Sequence, residues 1–326
     1  MRPRRLNWPG LRCSTASALL ISLFVSIGTA SAQTFRSPDI FVLGDSQLAF
    51  GAGPAIFEFF QNFSENCSQY DNSDELTSDI SMMRVGVMGV RSTSIHSWVS
   101  REWKYKKFVC QPDPKWQVNA RLYGWPKRTD GTYVQLGRAR GFRICKQKKS
   151  ALEVMFKKSA PAPKLLLLFF TGNSVHRWAN AHKLTVKDIR RLHQQMPASS
   201  ACIIMTTVPT YRRKDNRLRM KSQIGLRRAI EAVGSRCIFI PGYNKKTVAT
   251  FQNNRQYYRR RKSGSVKDPY HPNNPGARKF VALKRKGLCR ATLNALRPHI
   301  LADRAKARRM SQLIDPARTD NMLAVD

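Results

Sequence analysis

Five short apolar runs punctuate the chain, and stretches with helical spacing separate them. The runs lie in SPDIFVLGDS (37–46), SMMRVGVMG (81–89), KLLLLFFTGN (164–173), ACIIMTTVP (201–209) and SRCIFIPG (235–242). Their apolar residues do not alternate with polar ones, so each reads as a strand buried on both faces. QLAFGAGPAIFEFFQNF (47–63) reads as a helix with an irregular first turn at Gly51, Gly53 and Pro54. A second helix is expected from Thr185 to Gln195, with Thr185 as N-cap and Asp188 three residues on. Residues 217–233 form a basic helix with Leu226, Ile230 and Val233 on one face, and a last helix opens near Pro275. Buried strands alternating with helices predict an α/β fold with a central parallel five-stranded sheet between helices. Ligands of such sheets bind at the carboxyl ends of the strands. Ser46, Gly89 and Asn173 each follow a predicted strand end, so all three are expected at one edge.

Three segments depart from this rhythm. Residues 1–32 have the three parts of a secretory signal: Arg2, Arg4, Arg5 and Arg12, then an apolar run from Ala16, then Ala30-Ser31-Ala32. Cleavage after Ala32 and a periplasmic or secreted location are expected. No later run is long enough to span a membrane. Residues 101–158 hold sixteen Lys or Arg against four acidic residues, with Trp103, Trp116 and Trp125. They read as a basic subdomain inserted in a domain of residues 33–302, with a hairpin reversing at Thr129-Asp130-Gly131. Its role is either a substrate-binding lid or a structural elaboration. Residues 303–326, charged and poor in aromatics, read as a loosely ordered tail.

Charge narrows the partners. The formal charge is +38, of which the signal carries four, leaving +34. That field attracts polyanions. No zinc-finger, homeodomain or RNA-binding signature accompanies it, so no specific nucleic acid is expected. Outside the cytosol the expected partner is an acidic polysaccharide or another anionic envelope polymer. Six cysteines follow the signal, an even number that suggests disulfides. None has metal-site spacing, and neither a metal nor a cofactor is expected.

The chemistry concentrates in four short blocks. A nucleophilic serine needs a base within hydrogen-bond reach and donors aimed at the developing oxyanion. Ser46, in GDSQ, is the candidate nucleophile. In KDPYHPNNPGARKFV, Asp268 and His271 are three apart, so the carboxylate can orient the ring while the other nitrogen faces Ser46. Asn173, in TGNS, offers a side-chain amide to the oxyanion. Gly89 and Ser46 offer backbone N–H groups. Arg91, His176, Arg259 and Arg260 are candidate substrate contacts. Asp45 reads as a loop-holding residue that bonds backbone amides.

GDSQ, the Gly89 turn, TGNS and DPYH resemble, in order, the four blocks of the SGNH hydrolases, also called the GDSL lipase/esterase family. The resemblance covers roughly residues 37–100 and 160–290. It implies a three-layer α/β/α flavodoxin-like fold. It also implies Ser46 as nucleophile, His271 as base, Asp268 as its orienter, and Gly89 and Asn173 in the oxyanion hole. Two positions depart from the family pattern: Gln47 stands where leucine is usual, and Ser174 where aspartate is usual. The implied activity is that of an exported serine esterase, acting on O-acetyl groups of an acidic carbohydrate polymer. The alternatives are an O-acyltransferase with the same residues and a non-catalytic polyanion-binding protein. On this fold the expected disulfides are Cys202–Cys237, Cys110–Cys145 and Cys67–Cys289.

Overall fold

The five apolar runs become five parallel strands. The computed structural model describes residues 37–71, 74–101, 120–125, 128–134, 148–156 and 162–314. The expected signal segment and the Cys110–Cys145 pair lie outside the described residues. The parallel strands are β1 (Ile40–Gly44), β2 (Val85–Val90), β5 (Leu165–Phe169), β6 (Ala201–Met205) and β7 (Ile238–Ile240). Between the second and third of them come β3 (Ala120–Trp125) and β4 (Arg128–Val134). The sheet order is β4-β3-β2-β1-β5-β6-β7. Taken alone, the parallel strands follow the 2-1-3-4-5 order of doubly wound sheets.

The core divides by strand parity. Ile40, Val42, Val85, Val87, Leu165, Leu167, Ile203 and Met205 point into one cluster. Phe41, Leu43, Met88, Val90, Leu166, Leu168, Cys202 and Ile204 point into the other. The first face is covered by α1 (Gly53–Gln61), α2 (Phe63–Cys67), α3 (Asp74–Ser81) and the long α10 (Asn274–Ile314). The second is covered by α4 (Ile95–Val99), α5 (Ala151–Met155), α6 (Val175–Asn180), α7 (His182–Gln195) and α8 (Arg213–Val233). Each fully buried leucine of β5 stabilises the fold by about 1.5–3 kcal/mol. That explains why a strand with no polar residue is tolerated there: neither of its faces meets water. After β7 come α9 (Lys245–Phe251) and a separate two-stranded ribbon, β8 (Tyr258–Arg260) and β9 (Val266–Pro272).

Several expectations need correction. The sheet has seven strands, not five, because the hairpin of the basic insertion extends it: β3 pairs antiparallel with β2. Thr129, Asp130 and Gly131 lie inside β4, and the reversal falls between Trp125 and Arg128. Thr185 is no cap. Helix α7 begins at His182, and the Thr185 hydroxyl bonds back to the carbonyls of Ala181 and Arg177. Residues 303–314 of the expected loose tail are helical: the last helix runs to Ile314, with ion pairs of Arg304 to Glu75 and Asp79 and of Lys164 to Asp303.

Two expected disulfides are present. Cys67 bonds Cys289, joining α2 to α10 across 222 residues of chain. Cys202 bonds Cys237, which follows from the ladder, since Ile203 pairs with Ile238 just beyond them. Disulfides of this kind fit an oxidising compartment. Among the described residues no helix is long and apolar enough to cross a membrane.

Candidate active site

Ser46 stands at the carboxyl end of β1, at the first residue of the helical turn that leads into α1. His271 reaches it from the β8–β9 ribbon. The ribbon's register explains how. Tyr258 pairs with Pro272, yet the next residue, Arg259, pairs with Asp268. Pro269, Tyr270 and His271 are therefore surplus and bulge out of the ladder, a device that re-aims a side chain. The bulge is pinned from two sides. Tyr211 donates its N–H to the Pro269 carbonyl at 2.9 Å, and Gln47 donates its side-chain amide to the Tyr270 carbonyl at 2.8 Å. Gln47 thus ties the residue after the nucleophile to the loop bearing the base, which a leucine could not do.

Three side chains line up on this frame. His271 Nδ1 lies 2.6 Å from Asp268 Oδ2, and His271 Nε2 lies 2.9 Å from Ser46 Oγ. A carboxylate only accepts, so Nδ1 carries the ring proton and Nε2 accepts from the serine hydroxyl. Asp268 Oδ1 accepts the N–H groups of Tyr270 at 3.0 Å and of His271 at 3.1 Å. Half-burial works to raise the Asp268 pKa, but the bonds from the His271 ring and from these amides outweigh it and hold it at about 2. The carboxylate is therefore charged throughout the neutral range and fixes the imidazole tautomer. The arrangement can move the Ser46 proton onto Nε2 and stabilise the imidazolium that results.

Beneath the serine lies a buried polar peg. Asp45 Oδ1 accepts the Gln47 N–H at 2.8 Å, and Oδ2 accepts the Thr171 N–H at 3.4 Å, joining the ends of β1 and β5. Burial pushes the Asp45 pKa up, opposed by the Gln47 amide and by the Arg219 guanidinium. Arg219 is itself buried and donates to the Tyr243 hydroxyl at 3.1 Å. Asp45 thus holds the loop by bonding backbone amides, the role expected of it from the sequence.

The expected oxyanion donors are placed differently from one another. Asn173 follows β5 in a short 3₁₀ turn and donates one side-chain N–H to the Thr93 carbonyl at 2.9 Å. An amide has two such donors, so one remains for a ligand. The Ser46 N–H opens a helix, where no helical carbonyl takes it. Gly89 does not follow a strand end. It lies inside β2, paired with Gly44 on one side and Arg121 on the other. A Cβ there would meet the Ala49 backbone nitrogen at 2.3 Å, so the glycine serves close packing under the serine's helix. The turn after β2 instead offers Ser92, missed by the sequence reading. Its φ is +63°, a left-handed conformation usually left to glycine. Ser92→Gly is expected to raise stability by about 0.5–1 kcal/mol. The check is the urea midpoint; an unchanged or lowered midpoint would mean the turn carries no strain. The turn and the Asn173 loop are braced by Asp188, which takes His96 of α4 at 2.8 Å and Arg177 of α6 at 2.6 Å.

The substrate-contact candidates separate. Arg91 and Arg259 both come to the Phe50 ring, with their guanidinium carbons 5.9 Å and 5.8 Å from its centroid. Arg121, from β3, joins them at 5.8 Å. No sequence signal could place Arg121 there, because the hairpin's docking on β2 is a tertiary fact. Arg260 is exposed on β8 and faces no such ring, and His176 is exposed at the start of α6 with no hydrogen bond to a described residue. Arg212, unforeseen, donates to the Tyr270 hydroxyl at 3.3 Å on the outer side of the bulge. Among the described residues no group of three His, Cys, Asp or Glu is placed to hold a metal ion.

Comparison with known proteins leaves the site to speak for itself. No protein-family model matches the chain. No curated protein matches it. A solved structure of a DUF4886 family protein from Bacteroides uniformis is similar over 75% of this chain and 82% of its own, with 13% identity and a TM-score of 0.34. A likeness of that size carries no argument about this chain.

Proposed function

We propose that the protein is an exported serine esterase of the SGNH type on a three-layer flavodoxin-like fold, hydrolysing carboxylic esters through an acyl-serine intermediate. The observation that carries the reading is the unbroken line from Asp268 to His271 to Ser46 at 2.6 Å and 2.9 Å. Ser46 Oγ attacks the ester carbonyl carbon as His271 Nε2 takes its proton. The carbonyl oxygen becomes an oxyanion beside the Ser46 N–H and the Asn173 amide. The C–O bond to the alcohol breaks, and the imidazolium protonates the departing alcohol. Water, deprotonated by the same nitrogen, then releases the acid and restores the serine. The substrates that suit the +34 charge left after the signal are O-acylated acidic carbohydrate polymers. Both disulfides suit an exported enzyme.

Active-site labelling tests this directly. A fluorophosphonate phosphonylates a base-activated serine far faster than an ordinary hydroxyl. The mature protein is expected to gain one adduct, mapped by peptide mass spectrometry to Ser46. Labelling spread over several hydroxyls, or none at Ser46, would overturn the assignment.

A further inference from the structure

We infer that Arg91 and Arg259, beside Phe50, form a subsite for a carboxylate carried by the alcohol portion of the ester. This rests on the esterase reading of Ser46 and His271, and it names the substrate class for that site.

The geometry supplies both the charge and its position. Three guanidinium groups converge on one half-buried ring at 5.8–5.9 Å, an arrangement in which like charges oppose one another. The ring face offsets a part of that repulsion. Neither Arg91 nor Arg259 forms an ion pair with a described carboxylate. Asp268, across the ladder from Arg259, is turned to the His271 ring. Arg259 is also anchored, since it donates to the Phe50 backbone carbonyl, so its fork is set before any ligand arrives. Arginine forks match carboxylates in bidentate pairs.

The side of the site follows from the chemistry. The edge-to-face contact between Phe50 and His271 puts their centroids 5.5 Å apart. His271 protonates the departing alcohol, so the alcohol portion lies on the His271 side. The oxyanion donor Asn173 is tied to the Thr93 carbonyl and not to the Phe50–His271 pair. An anion seated at Phe50 therefore belongs to the alcohol and not to the acyl chain. In a carbohydrate this is the pattern of an acylated sugar whose own ring or neighbour bears a carboxylate.

A matched pair of esters isolates the effect. The substrates are 4-acetoxybenzoate, charged on the alcohol portion, and its neutral methyl ester. Their intrinsic reactivities cancel when the ratio of kcat/KM values is compared between variants. Arg259→Ala and Arg91→Ala are each expected to lower the charged-to-neutral ratio about tenfold, chiefly through KM. Arg308→Ala, which removes one charge from the exposed end of α10, is expected to leave the ratio alone. An equal fall in Arg308→Ala would mean that only the overall field matters and would overturn the subsite. So would an unmoved ratio in both arginine variants. Binding is read separately on the Ser46→Ala protein by calorimetry with trigalacturonate, with inorganic phosphate as competitor. Arg259→Ala is expected to weaken trigalacturonate about tenfold. Displacement by millimolar phosphate would reassign the subsite to phosphate-bearing substrates and overturn the carboxylate. Failure to turn over either ester, with trigalacturonate binding that depends on Arg259, would sink the esterase reading while keeping the anion subsite.

Discussion

Ser46→Ala is expected to cut hydrolysis of p-nitrophenyl acetate by at least about a thousandfold in kcat/KM. The size follows from what the hydroxyl does. It is the atom that becomes acylated, and at 2.9 Å it is the hydroxyl whose proton His271 Nε2 takes. Without it, the Asn173 amide and the Ser46 N–H still stand where an oxyanion forms, which sets a residual rate above water. The floor is raised further by a chain rich in lysine, whose side chains attack activated esters unaided. The comparison must therefore be with the variant and not with buffer. Stability is expected to fall by only about 1 kcal/mol, one hydrogen bond's worth, so far-UV circular dichroism and the melting midpoint should match wild type closely. Equal turnover by both proteins would return Ser46 to the ordinary duty of a helix-opening serine and favour polyanion binding as the function.

Much of this site was legible before any coordinates, and the reasons differ by residue. Ser46 and Asn173 could be placed at one edge because uninterrupted apolar runs mark buried strands and the run ends mark the carboxyl edge. Cys202 and Cys237 could be paired because both begin neighbouring strands. Gly89 was misplaced because β2 continues one residue further, and that extension is stabilised by the hairpin: Val90 pairs with Ala120 from the basic insertion. Nothing in the sequence of β3, ARLYGW, says which strand of the sheet it will join. Thr185 misled because a threonine that bonds back along a helix has the same sequence neighbours as one that caps it. The bulge at His271 was hidden too. Its cause is a register mismatch between two strands, and register is a property of the pair.

Gln47 and Ser174 show how departures from a family pattern can be read physically. Gln47, at the position where the resembled pattern has leucine, holds the His271 bulge through its side-chain amide. Ser174 is buried in the 3₁₀ turn, and its N–H bonds the Thr171 carbonyl at 2.9 Å, so the turn closes without an aspartate. Asn173 is positioned instead from the turn after β2, by the Thr93 carbonyl.

Gly89→Ala is expected to lower kcat/KM about a hundredfold and to cost about 1–3 kcal/mol of stability. The added Cβ would meet Ala49 at 2.3 Å from its nitrogen, 2.6 Å from its Cα and 2.9 Å from its Cβ. The nearest two are backbone atoms, so no rotamer relieves them. Either the turn that carries Ser46 rides up off the sheet or β2 shifts against β1 and β3. Each displaces the serine from a base held independently on the β8–β9 ribbon, and a shift of about 1 Å is enough to lose most of a nucleophile's advantage. The variant also separates two roles for the glycine. Alanine keeps the backbone N–H, so if Gly89 serves as an oxyanion donor alone, activity survives. If it serves the close approach of the Ser46 turn, activity falls together with stability, while Ser46 loses its reactivity toward a fluorophosphonate. Retention of activity within about threefold of wild type would refute the packing role, since a displaced serine could not sustain it.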